Sequence, residues 1–175
     1  MALIDYTYFQ ERLIAIPNLS REEITARLNS YINFKEDEYL SKVLGYEMKT
    51  EFEAAIAGTP AQKWIDLRDG AEFSYNGNLY KWTGFLNDLK DSPIAYYVYY
   101  WMIKEDNTLL TGTGTAITKN ENSDRVTPLI KLVDSYVYMA DKNRLLKAFI
   151  EANSSDYPSY APTDYLIQKI NYFGI

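Results

Sequence analysis

The sequence predicts a mainly α fold, a helical bundle with one inserted β-hairpin and extended loop and terminal arms. Three observations carry that expectation. First, every residue from Ile94 to Ile103 is apolar or aromatic, and a helix that is hydrophobic all round is either buried on all sides or spans a membrane. Ten residues rise only about 15 Å, half of a bilayer core, and Lys104-Glu105-Asp106 follow at once. The stretch therefore reads as a central core helix, covered by its own domain or partly by a neighbouring subunit. Second, several other stretches repeat apolar residues at the helical period and end at glycine or proline. Third, a single Asn-Gly turn stands between alternating strand-like segments.

Taken in order, residues 3–16 fit a short helix capped by Asp5 or an extended arm, stopped by Pro17-Asn18. Ser20-Arg21-Glu22-Glu23 has the form of a capping box. Beyond it Ile24, Leu28, Tyr31, Ile32, Tyr39, Leu40, Val43 and Leu44 form one helical stripe, with Gly45 as the stop. Tyr46 to Ala57 gives a second helix on Met48, Phe52 and Ile56. Thr59-Pro60-Ala61-Gln62 opens a third, with Trp64, Ile65 and Leu67 as its apolar side. Residues 72–75 and 79–82 flank Asn76-Gly77-Asn78 as the one convincing strand pair, and Phe73 and Tyr75 share a face. An isolated hairpin is marginal, so it must lean on helices or a partner. Ser92 caps the central helix and Pro93 opens it, because proline lacks only an N–H that is unpaired at that position anyway. Residues 111–123 read as a long polar loop with room for a short strand at 115–118. Thr127-Pro128 starts a last long helix reaching about Ala152. Residues 153–162 read as an exposed linker to a short helical segment, Thr163 to Phe173. The expected division is a helical domain over 1–152, with its hairpin at 72–82, and a C-terminal arm over 153–175.

Composition narrows the chemistry. The chain has no cysteine and no histidine, which removes disulfides, thiolate nucleophiles, Cys/His zinc sites and the Ser-His-Asp triad. The expectation is no catalytic residue, no bound cofactor and no metal. The net charge of −6 is the wrong sign for gripping phosphates, though it suits a surface past which DNA slides. The start of the chain has no basic, apolar leader and no window reaches the length of a membrane span, so a soluble protein is expected. Aromatic residues make up 15% of the chain, with 17 tyrosines, a surplus that fits interfaces as well as cores. Thr111-Gly112-Thr113-Gly114 lacks the Gly-Lys-Ser/Thr ending of a phosphate loop. Glu36-Asp37-Glu38, with Glu22 and Glu23, diverge around one helix and read as a solvated face. Trp64, Trp82 and Trp101 lack the interleaved basic residues of a nucleic-acid groove.

The order of elements resembles a known family. Ile16-Pro17-Asn18 precedes a capped helix, Ile24 to Ile32, that runs into Tyr39-Leu40-Ser41-Lys42-Val43-Leu44-Gly45, and the Phe52-Glu53-Ala54-Ala55-Ile56 helix follows. Trp64 to Gly70, Lys81-Trp82-Thr83-Gly84, Ser92 to Trp101 and Lys119 to Ser123 continue the layout. Over residues 3–150 this resembles tailed-bacteriophage head–tail connector (adaptor) proteins, in particular those of phages and prophages of Bacteroidetes. The resemblance implies a non-enzymatic virion protein at the neck, assembled in the bacterial host cytoplasm. It would form a homo-oligomeric ring, dodecameric in the family pattern, between the portal protein and the tail or a second neck protein. Double-stranded DNA would pass through as cargo, and no membrane is involved. On that reading the parts least stable alone reach to neighbours. These are Tyr75, Asn76, Tyr80 and Trp82 of the hairpin, Thr111, Thr113, Thr115 and Ile117 of the loop, and Tyr157, Tyr160, Tyr165, Tyr172 and Phe173 of the tail. The alternatives are a small cytoplasmic helical enzyme or ligand-binding domain using carboxylates and tyrosines, or another neck or tail-completion protein.

Overall fold

The computed structural model describes residues 2–10, 12–106, 108–111, 114–117 and 128–169. The chain is mainly α. Two 3-10 turns, Tyr6–Phe9 and Arg12–Ile14, precede α1 (Glu22–Leu44), α2 (Tyr46–Ile56) and α3 (Gln62–Asp69). Strands β1 (Ala71–Tyr75) and β2 (Asn78–Trp82) follow, then α4 (Pro93–Asp106), β3 (Thr108–Thr111), β4 (Gly114–Ile117) and α5 (Pro128–Ala152). Helix α4 packs against both α1 and α5, which makes it the middle helix of the body. Ile94, Ala95, Tyr96, Tyr97, Val98, Tyr99 and Met102 are all buried, as an all-apolar helix requires. Its start is as the residues dictate, with Pro93 first and the Ser92 hydroxyl accepting the Ile94 N–H at 3.2 Å.

The expected capping box of α1 takes another form, and α3 likewise starts without a side-chain cap. Asn18 adopts a left-handed φ of 59°, and the Arg21 N–H closes a turn on the Asn18 carbonyl. That turn carries Ser20 past the cap position, so Arg21 stands there without a side-chain cap bond. At α3 the Gln62 amide reaches forward to Asp66 at 2.7 Å, and Ala61 is the N-cap. Asp5 does cap the first 3-10 turn, accepting the Thr7 N–H at 2.9 Å.

The β1–β2 hairpin pairs Tyr75 with Asn78 across a two-residue turn. Asn76 and Gly77 both have positive φ, 51° and 78°, the geometry that matches the twist of the flanking strands. The hairpin leans on α5, where Phe73 meets Phe149 edge-on at 5.5 Å and Trp82 is fully buried. A second antiparallel hairpin, β3–β4, pairs Thr108 with Ile117 and Thr111 with Gly114; β4 falls where a short strand at 115–118 was allowed for within the expected loop, and β3 is the addition. Threonine-rich alternation supports strands as readily as it supports loops, and glycines on either side masked the signal.

The tail is the largest correction. Residues 161–169 form no helix. Their N–H groups turn outward to α1, the Ala161 N–H to the Leu44 carbonyl at 3.3 Å and the Thr163 N–H to the Lys42 carbonyl at 3.0 Å. The last carbonyls of a helix have no partner within it, so α1 offers acceptors that the tail would otherwise have to supply to itself. Tyr157 and Leu166 are buried, so the expected exposed linker and arm are, through residue 169, a strap docked on the body. The remaining expected helical residues, Ile170 to Phe173, lie outside the described residues.

Candidate interaction surface

Where polar side chains gather, chemistry is the first thing to ask of them. Between α1 and α4, Lys42 Nζ lies 2.7 Å from Glu38 Oε1 and 3.0 Å from the Tyr97 hydroxyl, which itself donates to Glu38 at 2.8 Å. Lys35 closes on Glu38 at 3.0 Å. Burial opposes the charge on Glu38, but hydrogen bonds from Lys42, Lys35 and Tyr97 outweigh it and hold the carboxyl at about 2. Burial lifts Tyr97 to about 12. Burial works against the charge on Lys42 too, yet its bonds to Glu38 and Tyr97 raise its pKa. A nucleophilic lysine or a basic tyrosinate needs shifts of the opposite sign. The triangle is built to stay charged and still.

Glu36 overturns the expectation of a solvated acidic face. It is 5% exposed, and its carboxylate accepts the Leu3 and Ile4 N–H groups at 2.6 and 3.2 Å. Burial, the largest influence, raises it to about 7 against the pull of those two bonds. Asp37 is exposed and pairs with the buried Lys49, which also lies 3.7 Å from Glu53. Among the described residues no group of three or more acidic side chains is placed to hold a metal ion.

The tyrosine surplus serves as a set of staples. Hydroxyls bridge elements far apart in sequence, Tyr31 to Glu105, Tyr39 to Asn143, Tyr75 to Glu151 and Tyr157 to the Lys63 carbonyl, while Tyr96 ties the start of α4 to the nearby Asp91. Tyr39, Tyr96 and Tyr157 bury the ring and satisfy its polar end, which is what lets a core hold so many tyrosines.

The residues expected at an interface divide accordingly. Trp82 is fully buried, its indole N–H donating to the Leu67 carbonyl at 2.9 Å, and Tyr157 is 3% exposed. Both are spent inside the chain and are withdrawn from the surface. Tyr75 and Tyr160 are half-buried, Asn76 lies exposed at the hairpin turn, and Tyr80 is 39% exposed, stacked on Phe73. Tyr165 is exposed beside Tyr160 with Lys147 over its ring. Thr111 ends β3, and Thr115 and Ile117 lie in β4. Thr113, Tyr172 and Phe173 fall outside the described residues.

The most exposed large apolar side chains were not among those expected. Tyr46 is 82% exposed, Leu79 71%, Phe34 67%, Leu89 66% and Tyr138 54%. A signal was available in the sequence. Phe34, Tyr46 and Tyr138 lie off the apolar stripes of their helices, and Leu79 faces away from the Phe73 side of its hairpin. An apolar residue that breaks its element's period points outward. Tyr138 stacks on Tyr96 at 5.7 Å, on the rim of an open groove of about 510 Å³ that also takes in Leu13 and Leu145.

These features define a mainly α protein with a tyrosine-stapled body and outward apolar side chains on separate elements. Residues 40–169 match the model of a family of unknown function (DUF6712), and the chain belongs to that family. No curated protein and no solved structure matches it. Among the described residues, no helix is long and apolar enough to cross a membrane.

Proposed function

We propose that this protein is a ring-forming head–tail connector of a tailed phage. Its helical body would be the wall segment, and its hairpins would be the parts that reach neighbours. One observation supports this best. Phe34 on α1 and Tyr138 on α5 stand exposed on the two helices that flank α4. A cyclic ring needs two different faces on every subunit, because each face meets the other face of its neighbour. The resemblance in element order supplies the neck position, the portal protein and tail as partners, and DNA as passing cargo. Ring copy number, virion location and the absence of catalysis belong to the same proposal.

Light scattering on the purified chain across a concentration series, with negative-stain images of the heaviest fraction, tests the reading. Rings, alone or on addition of portal protein, are expected. Phe34→Glu and Tyr138→Glu, both at exposed positions, should each abolish rings while leaving the far-UV spectrum and thermal midpoint unchanged. A compact monomer indifferent to portal protein overturns the proposal and turns attention to the groove beside Tyr138 as a ligand site.

A further inference from the structure

We propose that residues 170–175 seat in the open groove beside Tyr138 of their own chain, continuing the strap that residues 157–169 begin. The path of the strap leads there. Lys147 lies 4.6 Å over the Tyr165 ring, Asn143 donates to the Leu166 carbonyl at 3.2 Å, and Arg144 donates to the Ile167 carbonyl. Lys169 then pairs with Asp141 at 2.9 Å. The strap thus runs towards the start of α5, from Lys147 back to Asp141. Asp141 is itself a wall of the groove, so the described residues end at the groove's rim. Six extended residues reach about 20 Å, and Tyr138 stands only about 4.5 Å further along the helix axis.

The groove suits an apolar, uncharged occupant. Its apolar walls come from three elements: Leu13 of the second 3-10 turn, Tyr96 of α4, and Tyr138 and Leu145 of α5. Its charged residues are already engaged inside the chain. Lys142 pairs with Asp91 at 2.8 Å, Asp91 also accepts the Tyr96 hydroxyl, and Asp141 holds Arg144 and Lys169. What an occupant meets is therefore mainly hydrocarbon and ring. Residues 170–175 read Ile-Asn-Tyr-Phe-Gly-Ile, with no charged side chain and four large apolar or aromatic ones. Left in water, those four forfeit the stabilisation that burial in an adjoining apolar site supplies. A groove of about 510 Å³ is large enough to enclose a drug-sized molecule, and so a few side chains of a peptide. Tyr138, 54% exposed at the rim, gains a cover. The seat lies within one copy and does not rest on the ring reading.

Photo-cross-linking of the full chain carrying Phe173→benzoylphenylalanine tests the seat. Irradiated at a dilution where light scattering gives a single copy, the probe should join the peptides that carry Leu13, Tyr138 and Leu145. The product should run as one chain on a denaturing gel. Adding Tyr172→Asp, a change outside the packed body, should cut that yield about tenfold while the far-UV spectrum stays the same. Cross-links that fall elsewhere, a groove yield indifferent to Tyr172→Asp, or no cross-links at all overturn the proposal. So do cross-links found only between copies, which would put the segment on a neighbour. Should the protein stay assembled at every dilution, probe-bearing chains mixed with isotope-labelled chains decide. Groove cross-links confined to unmixed masses support the seat, and mixed masses overturn it.

Discussion

The two ends of the described chain lie along the same helix and are tied down by different chemistry. Residues 2–9 cross α1 near its middle, where every main-chain carbonyl is already engaged in the helix. Thr7 and Tyr8 turn their N–H groups to Asp5, and those of Leu3 and Ile4 go to a side chain of α1, Glu36. Residues 157–169 cross α1 at its C-terminal end, where the Lys42 and Leu44 carbonyls are free to accept. The first segment is thereby tied to a carboxylate, and the second to helix-end carbonyls together with side-chain ties from Ser159 to Glu51 and from Lys169 to Asp141. The C-terminal strap adds a third tie that the N-proximal one lacks. Asn143 on α5 accepts from Tyr39 of α1 and donates to the Leu166 carbonyl at 3.2 Å, so α1, α5 and the strap share one buried relay.

The sharpest way to break the helix-end side of this contrast is Gly45→Ala. Gly45 has φ 83° and ψ 161°, a region almost closed to other residues, and a Cβ there would run into the Ala161 carbonyl. The expected loss is on the order of 3 kcal/mol or more. Urea unfolding measures it, and limited proteolysis should cut residues 157–169 first. Next comes Asn143→Ala, which leaves the buried Tyr39 hydroxyl without its partner and unties Leu166. About 2 kcal/mol should be lost, read from urea unfolding.

The third expectation concerns acid. Glu38 sits at about 2 in the folded chain against an ordinary 4.5. Its contribution is therefore complete above pH 4.5 and is lost as pH falls towards 2. Tyr97→Phe removes one of the bonds that depress Glu38. It should cost about 1 kcal/mol at pH 7 and reduce the acid loss, read from unfolding midpoints at pH 7, 4 and 2.5. The smallest effect should come from Asp5→Ala. It removes an exposed cap from the first 3-10 turn and costs about 0.5 kcal/mol, visible as faster hydrogen exchange at Thr7.

Much of the fold was legible because it depends on local period and punctuation. The central helix, its Ser92-Pro93 start, the stop at Gly45, the Asn76-Gly77 turn and the span of α5 all follow from residues within a few positions of one another. What was not legible depends on where a distant segment comes to rest. Glu36 and Asp37 are neighbours with the same chemistry, and only the course of residues 2–9 makes one buried and leaves the other in solvent. Tyr157 and Tyr165 look alike in the tail, yet one is sealed against α3 and the other stays exposed because the strap turns between them. Trp82 reads as a partner-binding aromatic until the Leu67 carbonyl takes its indole N–H.

The sequence by itself determined the central helix and its start, the stop at Gly45, the span of α5, the first hairpin and the lack of cysteine and histidine chemistry. Those properties arise from side-chain period, capping and composition, which act over a few residues and need no partner. Tertiary structure alone decided which carboxyl is buried, which tyrosines become staples, and that the tail docks as an extended strap. The physical reason is that main-chain donors left unpaired by local structure take whichever acceptor lies within reach. Reach is set by how the helices pack.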